Sequence, residues 1–128
     1  MKRGERIIGI NSLFLIPCKV GGTEVFFRKQ IEELSRINTD NKYYIYANKE
    51  NKDTFKNLSK NFKIIDTGVS ASNRFARILW EQLVLPIRLF KDGVDLLHSP
   101  GYTTPVVTHC KKITTIFDLN YHFHPEDF

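Results

Sequence analysis

A histidine, a serine and a tyrosine stand within one short stretch, His98-Ser99-Pro100-Gly101-Tyr102, and an aspartate follows at Asp118. These groups handle hydroxyls. An imidazole exchanges a proton near neutral pH. The Ser99 and Tyr102 hydroxyls donate and accept, and the Tyr102 ring offers an apolar platform for a sugar or a lipid chain. The Asp118 carboxylate could order a substrate hydroxyl. Each also has a plainer reading: a strand-end histidine bonded to a loop, a Pro-Gly turn, an aspartate capping its own loop. His122 and His124 have the spacing of metal ligands on a strand, but no third ligand accompanies them, so no metal is expected. No Gly-x-Ser-x-Gly elbow marks a nucleophilic serine.

A second feature concerns anions. The apolar run Ile7-Ile8-Gly9-Ile10 leads into a loop, residues 11–22, that ends in Gly21-Gly22 before an amphipathic stretch. Helix N-termini present unpartnered N–H groups and partial positive charge, and glycines let a phosphate approach the backbone. The loop matches neither Gly-x-Gly-x-x-Gly nor the Walker loop, because Thr23-Glu24 follows the last glycine. A plain turn before a helix fits the same residues.

The elements that must carry these groups follow from periodicity. Residues 7–10 read as a strand buried on both faces. Residues 23–37 read as a helix with Thr23 as N-cap, Phe27, Ile31 and Leu34 on its buried stripe, and Phe26 and Ile37 on the flank. Strands are expected at 43–47, 62–65, 94–97 and 112–117, and a short helix around 53–59. Residues 74–90 read as a long helix that Pro86 kinks or interrupts near Leu85, with Gly93 as its stop. The apolar loop 11–18 either lines a cleft or packs under another segment. Alternating strands and helices predict an α/β fold: a Rossmann-like open, mainly parallel sheet with helices on both faces. In such a sheet ligands bind at the carboxyl ends of strands, near the reversal of strand order. The stretches 11–23, 98–104 and 118–121 would converge there.

Composition narrows the classes. With 128 residues, 41% of them hydrophobic and 26% charged, the chain suits one globular domain. Lysine and arginine number 19 against 14 acidic residues, a balance of +5 without a dense basic block. That permits anionic partners but argues against a nucleic-acid arm. Cys18 and Cys110 form no C-x-x-C pair and read as reduced thiols of a cytoplasmic protein. No apolar run reaches the length of a membrane span, so at most peripheral membrane contact is expected.

The ordered set Ile8-Gly9-Ile10-Asn11, Gly21-Gly22-Thr23-Glu24, Leu79-Trp80-Glu81-Gln82 with Pro86, residues 95–102, Thr115-Ile116-Phe117-Asp118-Leu119 and Pro125-Glu126 resembles the N-terminal half of family 4 glycosyltransferases (glycosyl transferases group 1). The resemblance implies two facing Rossmann-like domains of the GT-B type, with the N-terminal one on the acceptor side and the other holding a nucleotide-sugar donor. It implies retaining chemistry with no metal or other cofactor. Gly21 and Gly22 would lie against the donor's phosphates or transferred sugar. His98, Ser99 and Tyr102 would border a glycan or glycolipid acceptor, and Asp118 matches the acid of the family's His-Asp-Leu segment. Phe117 departs from that segment, where many relatives carry a histidine near the transferred sugar. The sequence stops at Phe128 without the donor domain, so residues 1–128 are expected to form a partial acceptor-side domain, inactive alone. Apolar surface left bare by missing elements, above all on helix 74–90, predicts self-contact such as a homodimer. Two other readings stand beside this one. The first is a noncatalytic binding or assembly module. The second is an oxidoreductase's dinucleotide-binding domain, which the absent glycine fingerprint disfavours.

Overall fold

Alternation along the strands sorts the apolar side chains onto two faces of one sheet, and each face recruits its own helices. The computed structural model describes residues 6–17, 22–37, 40–101 and 104–114. Along the chain run β1 (Ile7–Asn11), α1 (Gly22–Ile37), β2 (Lys42–Ala47), β3 (Phe62–Asp66), α2 (Arg74–Leu83), α3 (Leu85–Asp92), β4 (Leu96–Ser99) and β5 (Lys111–Thr114). The sheet order is β3-β2-β1-β4-β5, and every neighbouring pair is parallel. This is a Rossmann-like open α/β sheet with helices on both faces.

On one face Ile10, Tyr43 and Ile45 pack under Phe27 and Ile31 of α1, with Leu34 beside them. Phe26 and Ile37 stay largely exposed on the flank of that helix. On the other face Tyr46, Ile65 and Leu97 pack under Leu85 and Leu89 of α3. Gly9 faces this second layer. A Cβ there would stand 3.2–3.3 Å from Tyr46, Val94 and Leu97, so the close approach of those side chains rests on its absence.

The expected long helix is two helices. Pro86 has no N–H to offer the Gln82 carbonyl, and its ring crowds that carbonyl. The break falls at Val84, and Pro86 sits in the first turn of α3. Asn73 caps α2, its side chain accepting from the Ala76 N–H at 3.1 Å. Gly93 ends α3 in the left-handed region (φ 70°), as a stop glycine should.

Two expectations need correction. No helix forms over residues 53–59. That stretch is a chain of turns in which Thr54 bonds the Asn51 carbonyl through both its N–H and its hydroxyl, and Asn57 takes φ 60°. Local polar side chains outcompete the helix for the backbone. The fourth strand begins at Leu96 rather than Val94. The Val94 N–H still caps α3 by bonding the Leu89 carbonyl at 3.1 Å. Asp95 first meets β1, its N–H bonding the Ile7 carbonyl at 2.8 Å and its Oδ2 accepting from the Ile7 N–H at 2.9 Å. The shift brings His98 and Ser99 into the strand. For the fifth strand, residues 115–117 lie outside the described residues. No helix among the described residues is long and apolar enough to cross a membrane.

Candidate site at the β1–β4 switch point

Strand order reverses between β1 and β4: β2 and β3 extend one way, β5 the other. The loops leaving β1 and β4 therefore run to opposite faces of the sheet, and it is at such a reversal that open α/β sheets bind their ligands. Ile10 is in register with His98, and Asn11 and Ser99 close the two strands.

His98 and Ser99 point to opposite faces, as adjacent strand residues must. His98 shares the α1 face with Ile10. It is half-buried, and burial pushes its imidazole below the usual 6.5. It is therefore neutral at pH 7, with one ring nitrogen able to accept and the other to donate. Ser99 turns toward the α2–α3 face, where it is fully buried. Its hydroxyl donates to Thr104 Oγ1 at 3.0 Å and accepts from Asn11 Nδ2 at 3.4 Å. Ser99 thus ties β1, β4 and the loop after β4 together.

Gly22 opens α1, one residue before the expected start. An added Cβ there would meet no described atom within 4 Å. Gly21, Tyr102, Asp118, His122 and His124 lie outside the described residues. Of the expected site residues, His98, Ser99 and Gly22 are brought to one edge of the sheet. Among the described residues no group of three or more His, Cys, Asp or Glu side chains is placed to hold a metal.

The apolar loop after β1 packs instead of lining a cleft. Leu13 and Leu15 are fully buried, one in each core layer, so the loop folds over the edge of the sheet. Two asparagines hold it there. Asn48 Nδ2 donates to the Leu13 and Leu15 carbonyls at 2.9 Å each. Asn51 Nδ2 donates to the Ser12 carbonyl at 2.8 Å and the Leu15 carbonyl at 3.1 Å. They also fix one another: the Asn48 N–H bonds Asn51 Oδ1 at 2.9 Å, and the Asn51 N–H bonds Asn48 Oδ1 at 2.7 Å. Both are fully buried. Nothing in their residue type marks them in the sequence. Their one signal was position, directly after β2 at the edge where the site lies.

A second clamp acts on the loop after β4. Gln82 Nε2 donates to the Thr104 carbonyl, and Gln82 Oε1 accepts from the Val106 N–H, each at 2.9 Å. Gly101 fits against Phe14, whose Cβ would lie 2.9 Å from an added methyl. The loops after β1 and β4 thus meet through Phe14 and Gly101, and the second is held to α2. A cavity of about 680 Å³ lies at the opposite edge, lined by Arg6, Phe90, Asp95, His109 and Lys111. It sits where β4 and β5 begin, away from the edge where open α/β sheets bind ligands.

Comparison with protein-family models, curated proteins and solved structures returns no match to this chain.

Proposed function

We propose that the chain is the acceptor-side part of a retaining glycosyltransferase that uses a nucleotide-sugar donor and a glycan or glycolipid acceptor in the cytoplasm. The observation that carries this reading is the meeting of β1 and β4 at the reversal of strand order, with His98 neutral on the face where α1 begins. A neutral imidazole at this edge suits an acceptor hydroxyl better than an anion, because it brings no charge and can accept a hydrogen bond. The start of α1 at Gly22, where an added Cβ would meet no described atom, suits the donor's phosphates, which would approach from the facing domain. Holding donor and acceptor together needs both halves of the cleft, so the chain alone should not turn over.

The dinucleotide reading loses ground on a specific point. Cofactor-binding sheets carry an acid after the second strand to hold the ribose. Here that position is Asn48, buried and committed to the Leu13 and Leu15 carbonyls.

The test is an amide-resolved NMR titration of the chain with short oligosaccharides, a polyprenyl-phosphate sugar, and NADH. The reading expects shifts at Ile10, Asn11 and His98 with the sugars. Shifts at Gly22–Val25 with NADH, and none with any sugar, would sink it.

A further inference from the structure

Five large apolar side chains run along the outer side of α2 and α3: Phe75, Leu79, Leu83, Ile87 and Phe90, with Phe75 81% and Phe90 70% exposed. Their spacing of three or four residues makes them one stripe across the break at Val84. The stripe widens at Val106 and Val107, also exposed, which Gln82 holds beside the helix through the Val106 N–H. Single exposed apolar residues are ordinary, but a contiguous file of this kind marks a surface meant to be covered.

The charges say by what. Arg74 stands exposed at one end of the stripe and Lys91 at the other. The acids of the helix pair are turned inward. Glu81 is buried, and Asp92 Oδ2 takes the Tyr46 hydroxyl at 2.7 Å and Arg88 Nε at 3.1 Å. The outward face is therefore apolar with cationic ends. A second copy docked by two-fold symmetry would set Arg74 and Lys91 against the same cations, in either helix sense. An anionic bilayer complements the whole face. Its acyl boundary accepts the stripe, and its headgroup charge meets both ends.

We infer that the α2–α3 face docks the chain in the plane of an anionic lipid surface. This stands independently of the transferase reading. The experiment is co-sedimentation of the chain with vesicles of phosphatidylcholine alone and of phosphatidylcholine mixed with phosphatidylglycerol, alongside sedimentation velocity without lipid. The chain should pellet with the mixed vesicles, less so as salt rises, and stay monomeric without lipid. Arg74→Gln and Lys91→Gln should each weaken anionic binding about fivefold. The double variant Phe75→Ser, Phe90→Ser should lose it, while Phe26→Ser on α1 should keep it. Equal or absent pelleting with both vesicle types, or retained binding by the Phe75/Phe90 variant, would overturn the proposal. A lipid-free dimer that the same variant dissociates would overturn it in favour of self-association.

Discussion

The carboxyl edge of the sheet and the outer face of α2–α3 treat their side chains in opposite ways. At the edge, polar groups are buried and bonded: Asn48, Asn51 and Ser99 are fully enclosed and each holds backbone or side-chain partners from a distant segment. On the helix face, large apolar groups stand in the open. Burying amides costs free energy unless they are bonded, and exposing phenylalanines forgoes the gain of burial. One region therefore trades freedom for fixed geometry. The other keeps surface available for something outside the chain.

The contrast breaks most sharply at Asn48. Asn48→Ala removes donors from two buried carbonyls and the acceptor of the Asn51 N–H, and should cost about 3 kcal/mol in urea unfolding. Asn48→Asp keeps that acceptor but not the donors, and should recover little. Next comes Gln82→Ala, which frees the loop after β4 from α2. It should cost about 1–2 kcal/mol and raise amide exchange at Val106.

A smaller effect should follow from His98. Its folded pKa lies below the unfolded value, so between the two the unfolded chain binds more protons. Stability is then full above about pH 6.5 and falls as pH drops through that value toward the folded pKa. Melting temperatures across that range should show the slope in the native chain and a shallower one in His98→Gln. The smallest effect belongs to the helix face: Phe75→Ser should stay within about 0.5 kcal/mol of the native chain, because the ring is exposed. If it cost as much as Asn48→Ala, the face would be packed against something and the comparison would collapse.

Much of the scaffold was legible in the sequence. The Phe27, Ile31, Leu34 stripe, the interruption at Pro86 and the stop at Gly93 are local statements, and local geometry keeps them. The helix expected over 53–59 failed locally, to the turn that Thr54 makes with Asn51, whereas the other failures depend on distant partners. The β4 boundary moved because Asp95 bonds Ile7, 88 residues away. Placing the strand end at Leu97 also hid the fact that His98 and Ser99 must face opposite sides of the sheet. The fate of the apolar loop was unreadable because the side chains that seat it, Asn48 and Asn51, lie 33–39 residues further on. Their chemistry is common. Only the fold makes it specific.

The central position of β1 has a consequence for how the chain is made. A ribosome delivers β1, α1, β2 and β3 first, and these can pair as a three-stranded sheet with α1 on one face. Until α3 and β4 emerge, one long edge of β1 has no hydrogen-bond partner, and the Gly9 and Tyr46 side of the sheet is bare. A nascent chain whose α3 and β4 have not emerged is thus an open template for strand pairing with another chain. Emergence of α3 and β4 closes that hazard, α3 by covering the bare face and β4 by pairing with the open edge of β1.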